Sequence, residues 1–352
     1  MKAPVSPTSM GEFSPEAVEA ARRAGAPTYR ALVCARLTPD LSGLSVEDLP
    51  VRAPGPGQVR ARVRAASLNF PDLLMTQGGY QFKPEVPFVP GIEGAGEVIE
   101  TGPGVEGLKP GDRIMLHSKT GCFAQEMVLP ASSTRAIPPG LDFAQAAGFK
   151  AAAVTAYVAL VRRANLQPGE TLLVHGASGG VGMAAVQLGR HLGATVIATG
   201  GSQEKLDVVQ ANGAHHTLVL ANGFREQVKA LTGGRGADVI FDAVGGDVFD
   251  ESLRCISWGG RLLVIGFVSG RIPTVPANIV LIKGISVVGV RAGEYGRRDP
   301  PKGEENLRAI DRLAAEGVFR PHICARLRLD EAIDGLRMLA ERRVVGKVVI
   351  EP

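Results

Sequence analysis

Residues 171–182 read TLLVHGASGGVG, a short apolar strand (Leu172–Val174) running into the turn Gly176-Ala177-Ser178-Gly179-Gly180-Val181-Gly182. The stretch that follows places Ala185, Leu188 and Leu192 at helical spacing. Strand, glycine turn and helix in that order suit the pyrophosphate of a dinucleotide. Residues without a Cβ let backbone approach the phosphates, and the start of the helix offers free N–H groups and the positive end of its dipole. A glycine-rich surface turn would use the same letters, but it would not need the apolar strand before it and the amphipathic helix after it.

The next strand, Thr195–Ala198, ends in Thr199-Gly200-Gly201-Ser202, and the first acid beyond it is Glu204, already inside the following helix. A site that prefers NAD places a carboxylate at the end of this strand to accept the ribose 2′-hydroxyl. Here a hydroxyl (Ser202), the helix N–H groups and an ammonium three residues on (Lys205) suit a phosphate instead. The residues therefore favour NADPH over NADH; the competing reading is that Ser202 merely caps a helix and Lys205 is solvated. Gly266, Phe267, Val268 and Ser269 close a later apolar strand. Ligands sit beyond the carboxyl ends of parallel strands, so these four are expected to frame the nicotinamide.

The elements that must position these residues can also be read. From residue 171 onward TLLVHG, TVIATG, HTLVL, DVIFDAVG, GRLLVIGF and ISVVGVRAG alternate with helical stretches near 183–192, 203–212, 222–231, 247–256 and 276–283. Continuous apolar strands between amphipathic helices predict a parallel sheet covered on both faces. Earlier, short strands at 31–37, 58–65, 94–101, 113–116 and 121–129 alternate with turns such as APGPG and GPGVEGLKPGD, which predicts a small β-barrel or sandwich. The tail adds helices near 304–317 and 330–342 and a last strand at 347–351, expected to return to the β-rich part. Residues 1–29 stand apart as a proline-bearing extension with room for one short helix, capped by Ser14 and ended by Gly25.

Of the 352 residues 45% are hydrophobic and 21% charged, the balance of an ordinary globular protein, and the net charge of +4 is scattered. No basic block points to nucleic acid, and no apolar run approaches the roughly 20 residues of a membrane span. The N-terminus lacks the apolar core of a signal peptide. Cys34, Cys122, Cys255 and Cys324 lie far apart with no C-x-x-C pair, as expected of reduced thiols in a cytoplasmic protein.

Taken in order, AASLNFPDLLMTQGGY (65–80), PFVPGIEGAGEV (87–98), LKPGDRI (108–114), TAY (155–157), GASGGVG (176–182), DVIFDAVGG (238–246) and GKVV (346–349) resemble the zinc-free quinone oxidoreductase branch of the medium-chain dehydrogenase/reductase superfamily. The resemblance covers residues 31–352. It implies an α/β protein in which a Rossmann-type doubly wound parallel sheet binds NADP (155–293) and a GroES-like β-rich catalytic domain is built from 30–154 and 294–352, with 1–29 as an N-terminal extension. It also implies a homodimer through the apolar segment Ile285–Val290, where pairing would cover a sheet edge that otherwise invites aggregation.

Zinc-dependent members of this superfamily use a Cys, a His in a Gly-His-Glu motif, and a third Cys or Asp. Asn69 stands in place of the first, Ile92 of Gly91-Ile92-Glu93 in place of the second, and only alanines surround Ala151 at the third. Zinc needs about four N, S or O ligands, so no metal is expected, and His117 and Cys122 are read as incidental. Without a metal the resemblance implies hydride transfer to electron-poor acceptors, quinones or enones, which delocalise the charge themselves. Tyr80, eleven residues after Asn69, matches a tyrosine that is a proposed proton donor in related enoyl-thioester reductases; the alternative is that it lines the pocket. The resemblance further implies that the Asn69 amide contacts nicotinamide or substrate, that Thr155 reaches the nicotinamide carboxamide, and that Lys347 lies at the cofactor. Asp72 is read as a helix cap. The chain departs from the family at Thr217–Leu220, where a cofactor-contacting tyrosine is missing, and at Lys150 and Ala153, where a proline and a bulky aromatic are expected. If Ala153 faces the cleft, the pocket is enlarged. Three readings stay open: an NADPH-dependent quinone oxidoreductase, an enone or enoyl-thioester reductase with Tyr80 as acid, and a low-turnover NADPH-binding structural or RNA-binding sensor protein.

Overall fold

Strand formation in the first part of the chain follows the alternation of its side chains. In β3 (Gln58–Ser67) Val59, Ala61 and Val63 turn inward while Arg62 and Arg64 face solvent. The computed structural model describes Arg23 and residues 25–352, so the helix expected between Ser14 and Gly25 lies outside the described residues. Strands β1 (Thr28–Cys34) and β2 (Leu44–Pro50) pair antiparallel. Strands β3, β4 (Glu93–Thr101), β5 (Arg113–His117), β6 (Glu126–Pro130) and β7 (Thr134–Ala136) form most of a larger sheet.

The parallel sheet carries β8 (Thr171–His175), β9 (Thr195–Gly200), β10 (His216–Val219), β11 (Ala237–Asp242), β12 (Ile256–Val264) and β13 (Ser286–Gly289), in the order β10-β9-β8-β11-β12-β13. Leu172, Leu173 and Val174 are fully buried, as an apolar strand sandwiched between helices must be. The order reverses between β8 and β11, and such a switch point opens a crevice at the carboxyl ends of the strands. The helix Gly180–His191 follows β8 and lies close on the sheet. A Cβ added at Gly189 would come within 2.4 Å of Leu172 Cδ2, so this contact requires glycine.

The tail returns to the first sheet. After the helix Pro300–Ala315 come β14 (Ile323–Arg328), the helix Ala332–Ala340 and β15 (Lys347–Glu351), and the edge order is β14-β15-β3-β4-β5-β7. One buried cluster runs from Ala65, Ala95 and Met115 of the β-rich part through Phe149 and Leu160 to Val174, Val186 and Phe241, so the two sheets share a core. The sequence pattern missed β2, β7 and β14. The first carries two acids in LSVEDLP, the second is three residues long, and the third lies in a stretch read as the link between two helices. The strand expected at 121–129 begins only at Glu126, because residues 122–125 spend their backbone bonds on β1 and on Pro90 and Gly91. Among the described residues no helix is long and apolar enough to cross a membrane.

Candidate active site

The glycine turn leaves β8 with Gly176 at φ +67°, a left-handed conformation open to glycine. Gly182 is held more tightly still: a Cβ there would lie 2.3 Å from the Gly176 carbonyl oxygen. Gly179 occupies the N-cap of Gly180–His191 and supplies no side-chain bond to the helix, so the first N–H groups remain available to an anion. Gly176, Ser178, Gly179, Gly180, Val181 and Gly182 thus make up the turn and the first residues of the helix, with room for backbone to approach a phosphate.

On the neighbouring strand end, Ser202 is the N-cap of Gln203–Ala211 yet makes no side-chain capping bond, so its hydroxyl is uncommitted. No atom would come within 4 Å of a Cβ at Gly201, which leaves open space in front of the loop. Lys205 donates to the Arg342 carbonyl, and the Arg342 guanidinium donates to the Val268 carbonyl at 3.1 Å. Arg342 was not anticipated; its backbone, at φ +56°, bridges the loop after β12 to the helix that carries Lys205. Gly266, Phe267, Val268 and Ser269 follow β12 at the same edge, with Phe267 and Val268 part-exposed. These glycines, hydroxyls and N–H groups fit a nicotinamide dinucleotide, which when bound would supply a transferable hydride.

His175, the last residue of β8, was also overlooked. Its Nε2 lies 2.8 Å from Ser252 Oγ and its Nδ1 2.8 Å from Thr199 Oγ1. Ser252 Oγ donates to the Val248 carbonyl at 2.6 Å, so Nε2 carries the ring proton and Nδ1 accepts from Thr199. Burial pushes the imidazole down to about 3, which keeps it neutral. The ring ties together the two strand ends that precede the glycine turn and the Ser202 loop. A polar residue inside the otherwise apolar TLLVHG was the available signal.

The second half of the site is a buried cluster. The Lys347 ammonium donates to Asn69 Oδ1 at 2.7 Å and to Glu93 Oε1 at 2.9 Å. Asn69 Nδ2 donates to Glu93 Oε1 at 3.0 Å and to the Ser67 carbonyl at 3.1 Å, while Ala151 N–H donates to Glu93 Oε2 at 3.0 Å. Lys347 is 5% exposed and Glu93 2%. Burial alone would raise the Glu93 carboxyl, but the charge and hydrogen bond of Lys347 outweigh it and hold the group below its ordinary value. Removing either partner would strand a buried charge at a cost of about 3–5 kcal/mol. Asp72 Oδ2 accepts from Asn69 N–H at 2.9 Å, the cap role expected of it, and Oδ1 has no partner. Burial pushes that carboxyl up to about 7.

These contacts show how four of the residues singled out in the sequence are held inside the protein. The Lys347 ammonium is held in the ion pair, while its stem packs against Gly180 of the glycine turn. Both N–H groups of the Asn69 amide are spent inside the protein, so the amide has no donor left for nicotinamide or substrate. Thr155 donates its hydroxyl proton to the Ala151 carbonyl at 2.7 Å, one turn back in the helix Lys150–Tyr157, which leaves the hydroxyl oxygen only an accepting role toward a carboxamide. Ala153 is buried and lines a small pocket together with Phe149, Met183, Phe319 and Gly180. Tyr80 lies beyond the helix Phe70–Thr76, half-buried beside the core of the β-rich part, and its hydroxyl has no hydrogen-bond partner among the described residues. Glu93 is the residue whose role the sequence underplayed: it stands beside Ile92 in the quoted motif, and an acid opening an apolar strand implies a buried partner.

A phosphate cradle at the switch point of a doubly wound sheet, joined to a GroES-like β-rich domain, defines the class of two-domain nicotinamide-dependent oxidoreductases. Comparison with known proteins agrees. Residues 55–164 match the alcohol dehydrogenase GroES-like domain and residues 180–310 the zinc-binding dehydrogenase family. The chain is 40% identical over 332 residues to a quinone oxidoreductase-like protein 2 homolog of Nematostella vectensis, covering 93% of this chain and 90% of that protein. Among solved structures, a probable oxidoreductase from Mycobacterium abscessus has a TM-score of 0.84 at 37% identity, over 93% of this chain and 99% of that one. A mycobacterial protein complexed with NADPH has a TM-score of 0.83 at 29% identity, over 92% and 100%. The chain belongs to the quinone oxidoreductase branch of the medium-chain dehydrogenase/reductase superfamily.

Proposed function

We propose that this protein is an NADPH-dependent reductase of electron-poor acceptors, quinones first, that works without a metal ion. The observation that carries the cofactor choice is the loop after β9, where an unbonded Ser202 hydroxyl, open space before Gly201 and the neighbouring Lys205 replace the carboxylate an NAD site would use. The relative complexed with NADPH supports the same choice. The acceptor class follows from the polar residues at hand: no side chain at positions 69, 92 or 151 is suited to holding a Lewis acid, so the acceptor must delocalise incoming charge on its own. Binding then contributes by positioning donor and acceptor and by excluding water.

A second reading, reduction of an enone or enoyl thioester, is favoured by the unpartnered Tyr80 hydroxyl, which is free to deliver a proton to an enolate. The experiment is NADPH oxidation, with NADH in parallel, against a panel of quinones, enones and enoyl thioesters. Reduction of quinones supports the first reading; deuterium carried from labelled NADPH to a β-carbon supports the second. Cofactor binding with no turnover on any acceptor contradicts both and leaves the low-turnover binding protein. For the second reading, Tyr80→Phe should lower enone turnover about tenfold or more, and unchanged turnover removes the proton-donor role.

We further infer a cytoplasmic homodimer. Trp258, Leu281 and Ile282 are 81%, 82% and 69% exposed, and they sit around the edge strand β13. Large apolar side chains beside an unpaired edge are what a second copy would cover.

A further inference from the structure

The family matched by residues 180–310 is described as zinc-binding, yet the groups at the positions that ligate zinc in such proteins do not suit the metal. Asn69 has donated both amide N–H groups, Ile92 has no ligand atom, and Ala151 offers a backbone N–H already bound to Glu93. Among the described residues no group of three or more His, Cys, Asp or Glu could hold a metal ion. What stands there instead is a cation. The Lys347 ammonium is bonded to the side chain at position 69 and to Glu93, and the other oxygen of Glu93 is bonded to the amide at position 151. One of the three metal positions therefore binds an ammonium directly and a second is joined to it through Glu93.

The surroundings are shaped for that lysine. Its stem passes so close to Gly180 that a Cβ there would lie 2.4 Å from Lys347 Cδ, and one at Gly148 would lie 3.1 Å from Cε. Gly346 N–H donates to the Ser178 carbonyl at 2.7 Å, which pins the strand to the glycine turn. Gly180, read from the sequence as room for phosphate, is at the same time room for a lysine.

We propose that Lys347 takes the place of the metal: a positive charge, carried by the protein, that positions the Asn69 amide and the Glu93 carboxylate behind the glycine turn. This rests on the reading of the protein as a metal-independent reductase. Lys347 is a positioning residue, since its ammonium touches protein groups.

Two kinds of measurement test it. Wild-type protein incubated with zinc chloride, desalted and assayed for metal should retain no stoichiometric zinc; one full equivalent overturns the proposal whatever the activity. Lys347→Met keeps the stem and removes the charge, and Lys347→Met/Glu93→Gln also removes the stranded carboxylate, so that folding is preserved. In both, kcat on an acceptor that wild type reduces should fall about tenfold or more, while KM for NADPH stays within about twofold. In Lys347→Met alone the pH–rate profile should gain an ionisation, because Glu93 without the ammonium takes up a proton at higher pH. Wild-type turnover in the double variant overturns the proposal, since the ammonium would then only neutralise Glu93. A wild type inactive on every acceptor removes the functional reading instead, and the zinc measurement then decides this proposal by itself.

Discussion

Asp72 shows how much a single residue's environment changes what its letter means. From the sequence it is a helix cap, and it is one. The same burial that makes the cap also leaves Oδ1 unpartnered and pushes the carboxyl up to about 7. The folded-state value lies above the unfolded one, so the native protein holds a proton that the unfolded chain has lost. Stability therefore falls as pH rises from about 4 to about 7 and is flat above, by an amount on the order of 4 kcal/mol. Asp72→Asn keeps an acceptor for Asn69 N–H and cannot ionise. Its melting temperature should exceed that of wild type by several degrees at pH 8 and match it near pH 4; equal melting at both would show that the carboxyl is not held neutral. Residues whose chemistry is local, such as Gly176 or Ser202, were legible in the sequence. The bond between Asn69 and Lys347 was not legible, because a contact between residues so far apart in the chain leaves no mark in spacing.

At the scale of elements the pattern served well where the chain repeats strand and helix. All six strands of the parallel sheet were read, because each is an apolar run bounded by glycines and separated by one amphipathic helix. The antiparallel part was read less completely, since β7 is too short for a pattern and β14, although it alternates, lies in a stretch read as the link between two helices. The strand ends that matter are fixed by glycines of two kinds, and these separate experimentally. Gly182→Ala would press a Cβ into the Gly176 carbonyl and should cost about 1–3 kcal/mol of stability. Gly201→Ala meets nothing within 4 Å, so thermal unfolding should be unchanged, and any effect should fall on KM for NADPH. Equal melting temperatures for the two variants would contradict this division.

For the whole molecule, the shared core and the return of β15 to the first sheet make one body in which the glycine turn, the Lys347 pair and the loop after β12 meet. Tertiary contacts of this kind, Gly346 with Ser178 and Arg342 with Val268, lie beyond sequence pattern because they join segments far apart in the chain. At the same scale the proposed dimer would cover the exposed Trp258, Leu281 and Ile282. Light scattering at micromolar concentration should give a dimer for wild type and a smaller mass for Leu281→Asp; a wild-type monomer would contradict the interface.

The central claim, NADPH-driven reduction of an electron-poor acceptor, is tested most directly by the ratio of kcat/KM for NADPH to that for NADH on a quinone, measured in the presence of a zinc chelator. The ratio should favour NADPH at least about tenfold, a difference of about 1.4 kcal/mol in transition-state binding, and should collapse towards one in Ser202→Ala/Lys205→Ala. A ratio of one or below in wild type, or loss of turnover on chelation, would contradict it.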